Sequence, residues 1–430
     1  HNNTSKIFSI NTDMQRPVLY LIHPTMDKII TVDLCQFDQY PIGSMPLHTL
    51  ITPRGDTAFL STMSSSTAPA TILALKIGDI DWKNNHSDVS ITNVIKIRDP
   101  DAKPVIPDIK NHTTNLTQPV IKALWFPNNV QIHGPTLHPN ERFAYFTEWT
   151  NNTIRVLDVN NGTLAPTDPI QFGNDTRWLH GVFFNPSGNK ALSPHYFFEG
   201  NHLHLFDVDN ATGELTNPME IRLGNNTHYA AFPHHVTWIN NTHAITSTQQ
   251  LGPTSATSDN VKIIGPSVWL IDTEKVNNIG DGNIVSNTGT AATMIIPFTN
   301  GTEKNGIFKP ASDIAIVGTK LYVAEEDSMD MKINNQGYVS IWNITNILDP
   351  QVIKRLSPGP LSPGPDLPET FELGHTIYST PDGKIVYVED WHSGQLVKIN
   401  ATTYKVDKVF NSTTHDFKMP HGGFIAGKYR

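Results

Sequence analysis

Apolar residues along this chain come in short runs that turns interrupt at regular intervals. In residues 179–195 an apolar segment, a Pro-Ser-Gly turn and a second apolar segment follow one another. The same order returns at 132–143 and 374–385, each time with a histidine near the start and a proline six residues after it. Such turns between apolar runs are typical of β-hairpins. No apolar period of about 3.6 residues is sustained, so we predict very little helix.

Extending this pattern along the 430 residues gives seven units. They begin near Val18, Pro46, His133, His180, His234, Pro310 and His375. A period of about 45 to 55 residues with four strands per unit is the sequence signature of a β-propeller. We therefore predict an all-β, seven-bladed propeller that forms a single domain over residues 18–430, preceded by a leader at residues 1–17.

The first unit lacks the strand that carries the histidine in other units. A matching segment lies at the far end of the chain, where His421 occupies the repeat position. A ring that both termini close within one blade leaves no free sheet edge at that point. We expect residues 419–430 and 18–40 to belong to the same blade.

Histidines recur at one position of the repeat. They are His133, His180, His234, His375 and His421, with His48 and His235 one residue later. Unit six offers Ser312 and Asp313 instead. The inner strands of a propeller line its central channel, so these imidazoles should converge there from separate strands. Neutral nitrogen donors on a rigid frame suit a late transition metal, whereas calcium or magnesium requires oxygen ligands.

A single histidine at such a position has a simpler structural interpretation, because it can cap a turn or bond a backbone carbonyl. Several imidazoles in register have poor mutual hydrogen bonds, and this favours a bound ion. Since strand side chains alternate between faces, His235 should point away from the channel while His234 points into it, unless the strand bends. A one-residue bulge would return His48 to the ligand set.

A second register supports the site. Glu148, His195 and Asp390 lie fifteen residues after the repeat histidine of their units, and Glu325 takes the equivalent place in unit six. These side chains could hold the second nitrogen of an imidazole or move a substrate proton, so they are the candidate catalytic residues. An ordinary acidic rim is the alternative interpretation.

Composition narrows the classes of function. With 38% hydrophobic and 17% charged residues the chain is a folded protein, and its net charge of −9 argues against nucleic-acid binding. No apolar run reaches the roughly 18 residues of a membrane span, so we expect no transmembrane segment. Cys35 is the single cysteine, which excludes an intrachain disulfide and a two-cysteine copper site.

The chain begins at His1, and we interpret it as a mature chain whose export signal has been removed. Asn-x-Ser/Thr sequons are frequent and favour a glycosylated extracellular or cell-surface protein. The candidate sites are Asn85, Asn111, Asn115, Asn151, Asn161, Asn174, Asn210, Asn225, Asn240, Asn300, Asn343, Asn400 and Asn411.

Residues 140–147 and 381–388 resemble the YVTN-type repeats of seven-bladed propellers. A propeller with a histidine-lined axis is similar in outline to thiocyanate dehydrogenase and to the propeller domain of nitrous oxide reductase, which hold copper clusters there. The resemblance implies copper at the five repeat histidines. Unlike nitrous oxide reductase, the chain lacks the cysteine pair and the second domain through which electrons enter that enzyme.

Three functions remain open. The first is a secreted oxidoreductase that acts on a small molecule at two or more copper ions. The second is a non-catalytic, glycosylated propeller that serves as a surface or assembly module, as a homo-oligomer or with other partners. The third is a lactonase-like or lyase propeller with a single divalent ion, zinc being one alternative to copper.

Overall fold

The chain folds into a seven-bladed β-propeller in a computed structural model. Seven antiparallel sheets follow one another around a central axis, and a short parallel pair of strands lies outside them. The structure describes residues 8–41, 44–63, 70–97, 132–148, 153–171, 179–196, 202–224, 228–230, 232–249, 262–276, 291–299, 306–307, 309–326, 336–358, 366–415, 417–418 and 420–425.

The strands are numbered in chain order and each blade is read along the sequence. Blade 1 contains β1 (Ser9–Asp13), β2 (Arg16–Ile22), β3 (Ile29–Asp33) and β31 (Pro420–Ile425). Blade 2 contains β4 (Met45–Ile51), β5 (Thr57–Met63), β6 (Thr71–Asp81) and β7 (His86–Lys96). Blade 3 contains β8 (Ile132–Leu137), β9 (Phe143–Glu148), β10 (Thr153–Asp158), β11 (Thr163–Leu164) and β12 (Ile170–Gln171). Blade 4 contains β13 (Phe183–Phe184), β14 (Lys190–Pro194), β15 (His202–Val208) and β16 (Leu215–Arg222).

Blade 5 contains β18 (Pro233–Trp238), β19 (His243–Thr248), β21 (Val268–Asp272) and β22 (Ala292–Ile296), while β17 (His228–Ala230) and β20 (Lys262–Ile264) form the parallel pair. Blade 6 contains β23 (Ala311–Val317), β24 (Lys320–Glu325), β25 (Tyr338–Asn343) and β26 (Gln351–Leu356). Blade 7 contains β27 (Gly374–Ser379), β28 (Ile385–Asp390), β29 (Gln395–Asn400) and β30 (Lys405–Asn411). Among the described residues, helix is limited to two 3₁₀ turns, Leu34–Gln36 and Thr273–Lys275, and one α-helical turn, Ser412–His415. This confirms the predicted scarcity of helix, and none of these helices is long and apolar enough to cross a membrane.

Both ends of the chain close the ring within blade 1, as the sequence predicts. Strand β31 pairs antiparallel with β1, and β1 pairs with β2. Strand β1 lies within the stretch expected to be a leader, residues 1–17. This strand has only five residues, which is too few for a hydrophobic pattern to identify it from the sequence. Its pairing with both β2 and β31 defines it as a strand.

The hydrophobic core lies between the blades. Each apolar cluster joins neighbouring blades, for example Phe143 and Tyr145 of blade 3 with Phe184 and Phe206 of blade 4. Central strands are therefore buried on both faces, and β9 is buried at all six positions. This explains why the sequence shows continuous apolar runs in many strands instead of strict alternation.

Candidate metal centre

Six histidines form a closed ring at the propeller axis, one from each blade except blade 6. In order around the ring they are His48, His133, His180, His234, His375 and His421. The centroids of neighbouring rings lie 3.9 to 5.1 Å apart. All six residues are at most 8% exposed. We call this set the axial ring. The structure thus brings together the five repeat histidines of the sequence analysis and adds His48.

An extra residue in each inner strand places these side chains. In blade 2 the pairing of β4 with β5 shifts between Pro46 and His48. The same one-residue shift occurs at the histidine position in blades 3, 5 and 7, and at the matching place in blades 1 and 6. A bulge of this kind bends the strand and re-aims its side chains. The sequence predicts that His48 joins the ligand set only if such a bulge is present, and the structure contains it.

In blades 1 and 3 the glycine after the ring histidine is required by the next blade. A Cβ atom at Gly134 would lie 2.1 Å from the carbonyl oxygen of His180, and one at Gly422 would lie 2.6 Å from Nδ1 of His48. Both glycines have positive φ, +53° and +65°, where other residues are strained. The recurring His-Gly pair therefore reflects close packing of neighbouring inner strands around the axis.

Hydrogen bonds set the tautomer of three ring histidines. Nδ1 of His421 lies 3.2 Å from the carbonyl oxygen of Leu47, and Nδ1 of His234 lies 2.5 Å from that of Ser312. Nδ1 of His375 lies 3.1 Å from a carboxylate oxygen of Glu326 and 3.0 Å from the hydroxyl of Ser312. Since a carbonyl or carboxylate oxygen only accepts, each Nδ1 carries the proton and donates it, which leaves the lone pair on Nε2.

Burial keeps three of the ring imidazoles neutral. Desolvation holds the pKa of His133, His180 and His234 well below 6.5, and repulsion from other histidines at the axis lowers each pKa further. Neutral imidazole is the form that binds a metal ion. These three imidazoles are therefore available for ligation at neutral pH without first losing a proton.

A cavity of about 40 Å³ lies against the ring. Five ring histidines line it, together with His235 and Asp313. Nδ1 of His235 lies 3.0 Å from Oδ1 of Asp313, and Oδ2 of Asp313 accepts the backbone N–H of Ile377 at 2.9 Å. His235 was expected to point away unless the strand bends. The register shift between Pro233 and Val236 is that bend, and it allows both neighbouring histidines to reach the axis.

A polar network that the sequence pattern does not predict lies in the gap that blade 6 leaves in the ring. Glu326 binds His375 and accepts a hydrogen bond from the amide of Gln249. The hydroxyl of Tyr196 donates to the Gln249 side-chain oxygen at 2.6 Å, and the Tyr196 ring packs against His180. Burial, with a further contribution from the Glu326 carboxylate, raises the pKa of Tyr196 well above 10.0, so Tyr196 keeps its proton. Glu326 follows a candidate residue directly in sequence, and that adjacency was the only available signal.

The four predicted catalytic residues lie at the same end of the blades as the ring, but one strand further out. Glu148 and Asp390 pair across from Ile132 and Gly374, which each precede a ring histidine. Glu148 binds Arg155 at 2.6 Å. Asp390 accepts the backbone N–H groups of Glu372, Leu373 and Ser393, and burial raises its pKa.

The other two candidates have different surroundings. Glu325 lies 3.7 Å from Arg355 and accepts the backbone N–H of Lys309 at 3.2 Å. His195 stacks on His202, with ring centroids 4.3 Å apart. The carboxylate that holds a ring imidazole is thus Glu326, and roles for Glu148, His195, Asp390 and Glu325 stay predictions.

Seven of the candidate glycosylation sites belong to the described part of the chain. Asn85, Asn161, Asn210, Asn240 and Asn343 are exposed, whereas Asn400 and Asn411 are half-buried. The remaining six, Asn111, Asn115, Asn151, Asn174, Asn225 and Asn300, lie outside the described residues. Exposure makes the first five accessible to modification, and glycosylation itself stays a prediction.

The axial ring fits a metal cluster in its donor chemistry. Imidazoles bound to one tetrahedral ion have centroids about 5 Å apart, given metal–nitrogen bonds of about 2.0–2.1 Å, and the spacings in the ring bracket that value. In the rotamers of this structure, no three His, Cys, Asp or Glu side chains among the described residues are grouped so that they could hold an ion. Ligation would therefore require the rings to turn about their side-chain bonds.

Comparisons with known proteins agree on the fold. No protein-family model and no curated protein matches the sequence. Among solved structures, a functionally unknown protein from Desulfotomaculum acetoxidans is similar, with a TM-score of 0.61 and 12% identity over 98% of this chain and 99% of that chain. A periplasmic gluconolactonase from Pseudomonas aeruginosa has a TM-score of 0.58 and 11% identity over 98% of this chain and 99% of that chain. A protein from Lactobacillus plantarum has a TM-score of 0.57 and 11% identity over 98% and 99% of the two chains. Identities this low establish the propeller fold alone.

Proposed function

We propose that this chain is a copper-dependent oxidoreductase whose copper ions bind to the axial ring and whose substrate is a small molecule. The observation that carries the proposal is the ring itself: six buried imidazoles from six blades, with neighbouring centroids 3.9 to 5.1 Å apart. Six imidazoles exceed the three or four that one ion takes, so we expect roughly two or more copper ions. When bound, copper supplies a one-electron redox couple and an open position for the substrate.

For three ring histidines the ligand atom follows from the tautomer. His234, His375 and His421 keep a lone pair on Nε2 because their Nδ1 atoms donate to protein oxygens. His48, His133 and His180 complete the ligand set. Imidazole nitrogens suit copper, and an acceptor on the second nitrogen fixes the orientation of the ring and raises its basicity.

Protons are handled by His235 and Asp313. The Asp313 carboxylate holds Nδ1–H of His235, so Nε2 of His235 can accept a proton beside the cavity. Asp313 is itself held by the backbone N–H of Ile377. The pair is thus oriented in advance, and the network of Tyr196, Gln249 and Glu326 connects His180 to His375 in the gap of the ring.

The size of the cavity restricts the substrate. A volume of about 40 Å³ exceeds what one water molecule needs, but it leaves room for only a few non-hydrogen atoms beside the ions. The proposed substrate is therefore a small molecule and not a polymer. We also propose that the chain is secreted and glycosylated.

Metal reconstitution tests the proposal. The full chain is stripped with a chelator and titrated with copper, and bound metal is measured by elemental analysis and by electron paramagnetic resonance. We expect about two or more equivalents in the parent protein and a loss of copper in His180→Ala. His86→Ala, which removes an exposed histidine of blade 2, is the matched control and should bind as the parent does.

Two outcomes would contradict the proposal. A folded protein that binds no copper supports the non-catalytic module instead. Zinc as the only metal at full occupancy supports hydrolysis, which is the lactonase-like alternative. A propeller fold is compatible with either.

A further inference from the structure

A second histidine cluster lies on blade 4, away from the inner strands. His195 follows β14, and His202 and His204 belong to β15. The backbone N–H of His195 donates to the carbonyl of His202, so the two residues face each other across the strands. His204 lies two residues beyond His202 and therefore on the same face of the blade. We call these three residues the lateral cluster.

The three rings are close together and buried. Their centroids are 4.3 Å apart for His195 and His202, 4.9 Å for His202 and His204, and 6.1 Å for His195 and His204. None of the three residues is more than 9% exposed. Three imidazoles around one tetrahedral ion have centroids about 5 Å apart, and the observed spacings scatter around that value. In the rotamers of this structure the three side chains are not grouped so that they could hold an ion, so binding requires the rings to turn.

His204 supplies an independent observation. It is fully buried, and neither of its ring nitrogens has a hydrogen-bond partner. A buried donor or acceptor left unsatisfied costs about 1–3 kcal/mol. A leucine or phenylalanine would fill this face without that cost, and Phe206 does so two residues along the same strand. A ligand that binds the imidazole nitrogen offsets the cost.

One ion pair on the neighbouring strand sets the charge beside the cluster. Across from His204 and His202 on β16 lie Glu220 and Arg222, respectively. Nε of Arg222 lies 2.6 Å from Oε1 of Glu220, so the carboxylate partly offsets the guanidinium charge, although Arg222 still lowers the pKa of His202. Imidazole nitrogens are poor ligands for magnesium and calcium and favour a late transition metal.

We propose that His195, His202 and His204 bind one divalent transition-metal ion of the zinc type, at a site separate from the axial ring. The ion would join β14 to β15, with its fourth position open to water or to a solute. This proposal does not depend on copper at the axis, because its ligands come from the second and third strands of blade 4.

Zinc titration of the full chain tests the site. Metal-free parent protein and variants are titrated with zinc, and bound metal is counted after gel filtration. We expect His204→Leu and His202→Ala each to bind one equivalent less than the parent. His86→Ala should bind as the parent does. The double variant His133→Ala/His375→Ala, which lacks two axial ligands, should retain the lateral equivalent.

Cobalt provides a second readout, since tetrahedral cobalt has intense visible d–d absorption. That absorption should persist in the axial double variant and disappear when His204→Leu is added to that double variant. Circular dichroism and thermal melting verify that each variant is folded. If His204→Leu does not fold, the result for His202→Ala is used instead. Anomalous scattering at the zinc edge from crystals of zinc-soaked parent protein should give a peak between the three rings.

Equal zinc stoichiometry in the parent and in both lateral variants would overturn the proposal, as would the absence of that peak. Loss of the lateral equivalent in the axial double variant would also overturn it, because the two sites would then not be separate. The copper proposal is tested by His180→Ala, so either proposal can fail without the other.

Discussion

An acceptor that holds the second nitrogen of an imidazole orients the ring and makes the other nitrogen a better metal ligand. His375 uses a carboxylate for this purpose, whereas His234 and His421 use backbone carbonyls. A carboxylate adds negative charge beside the ligand and raises its basicity. Glu326 is therefore the side chain outside the ring whose chemistry should matter most to the metal.

Replacing Glu326 with glutamine removes that charge and keeps the size of the side chain. We expect copper affinity to fall about 10- to 100-fold, with the fold retained. Competition with a chelator of known affinity measures the copper affinity of each variant. Glu372→Gln is the matched control, because Glu372 holds the exposed His392 at 2.6 Å. Equal affinities in the two variants would mean that Glu326 does not support the site.

The buried histidines also predict how stability depends on pH in the metal-free protein. Their folded-state pKa values are lowered: well below 6.5 for His133, His180 and His234, and to about 3 for His204. In every case burial is the main cause. Between the folded and unfolded pKa values the unfolded chain binds more protons, so stability is complete above about pH 6.5 and falls as the pH decreases.

Each such histidine should contribute about 1.4 kcal/mol of lost stability per pH unit below its unfolded pKa. Urea unfolding of metal-free protein from pH 8 to pH 5 measures the slope. His204→Leu should reduce the slope, whereas His86→Ala should not. A stability that is independent of pH over this range would contradict the burial of neutral imidazoles.

At the scale of the strands, the bulges and glycines of the inner strands decide whether the histidines meet. One extra residue per inner strand turns a repeat position toward the axis, and a glycine after the histidine admits the neighbouring blade. Gly134 illustrates both requirements, since it combines positive φ with close contact to the backbone of His180.

Gly134→Ala should therefore destabilise the protein by more than about 3 kcal/mol, because a backbone atom cannot move aside cheaply. Gly318→Ala is the matched control: φ is also positive, +59°, but a Cβ there meets nothing within 4 Å. Only the strained φ remains in the control, and it costs about 1 kcal/mol. Denaturant midpoints of the two variants measure the difference. Equal midpoints would mean that the blades can separate at this position without penalty.

For the whole molecule, the ring of blades depends on its last strand. Strand β31 contributes His421 and completes blade 1 by pairing with β1. It also packs against β4 of blade 2 and β27 of blade 7. Without it, an inner strand and a metal ligand are lost together, and the edge of β1 is exposed.

Deleting residues 419–430 should consequently unfold the protein or cause it to aggregate. Thermal melting and gel filtration measure this, and a chain that ends at Ile425 retains the whole strand and serves as the control. A truncated protein that stays monomeric with an unchanged melting temperature would show that the terminal pairing does not support the ring.

The repeat in the sequence was sufficient to predict seven blades, their closure by both termini and five of the six ring histidines. These features follow from local patterns, because strand alternation and turn residues are set by neighbours in sequence. His48 could be assigned only conditionally, since its place depends on a bulge that side-chain alternation does not reveal. Strand β1 was missed because its pattern is short.

Other features were decided by tertiary structure alone. Glu326 reaches His375 across a blade boundary, and His235 meets Asp313 in the same way. His202 and His204 form a cluster with His195 only because β15 pairs back on β14. The sequence alone determined which residues recur and at what spacing, since backbone periodicity is local. Which side chains touch was decided by the packing of separate blades around an axis, and contacts between residues distant in sequence have no local signature.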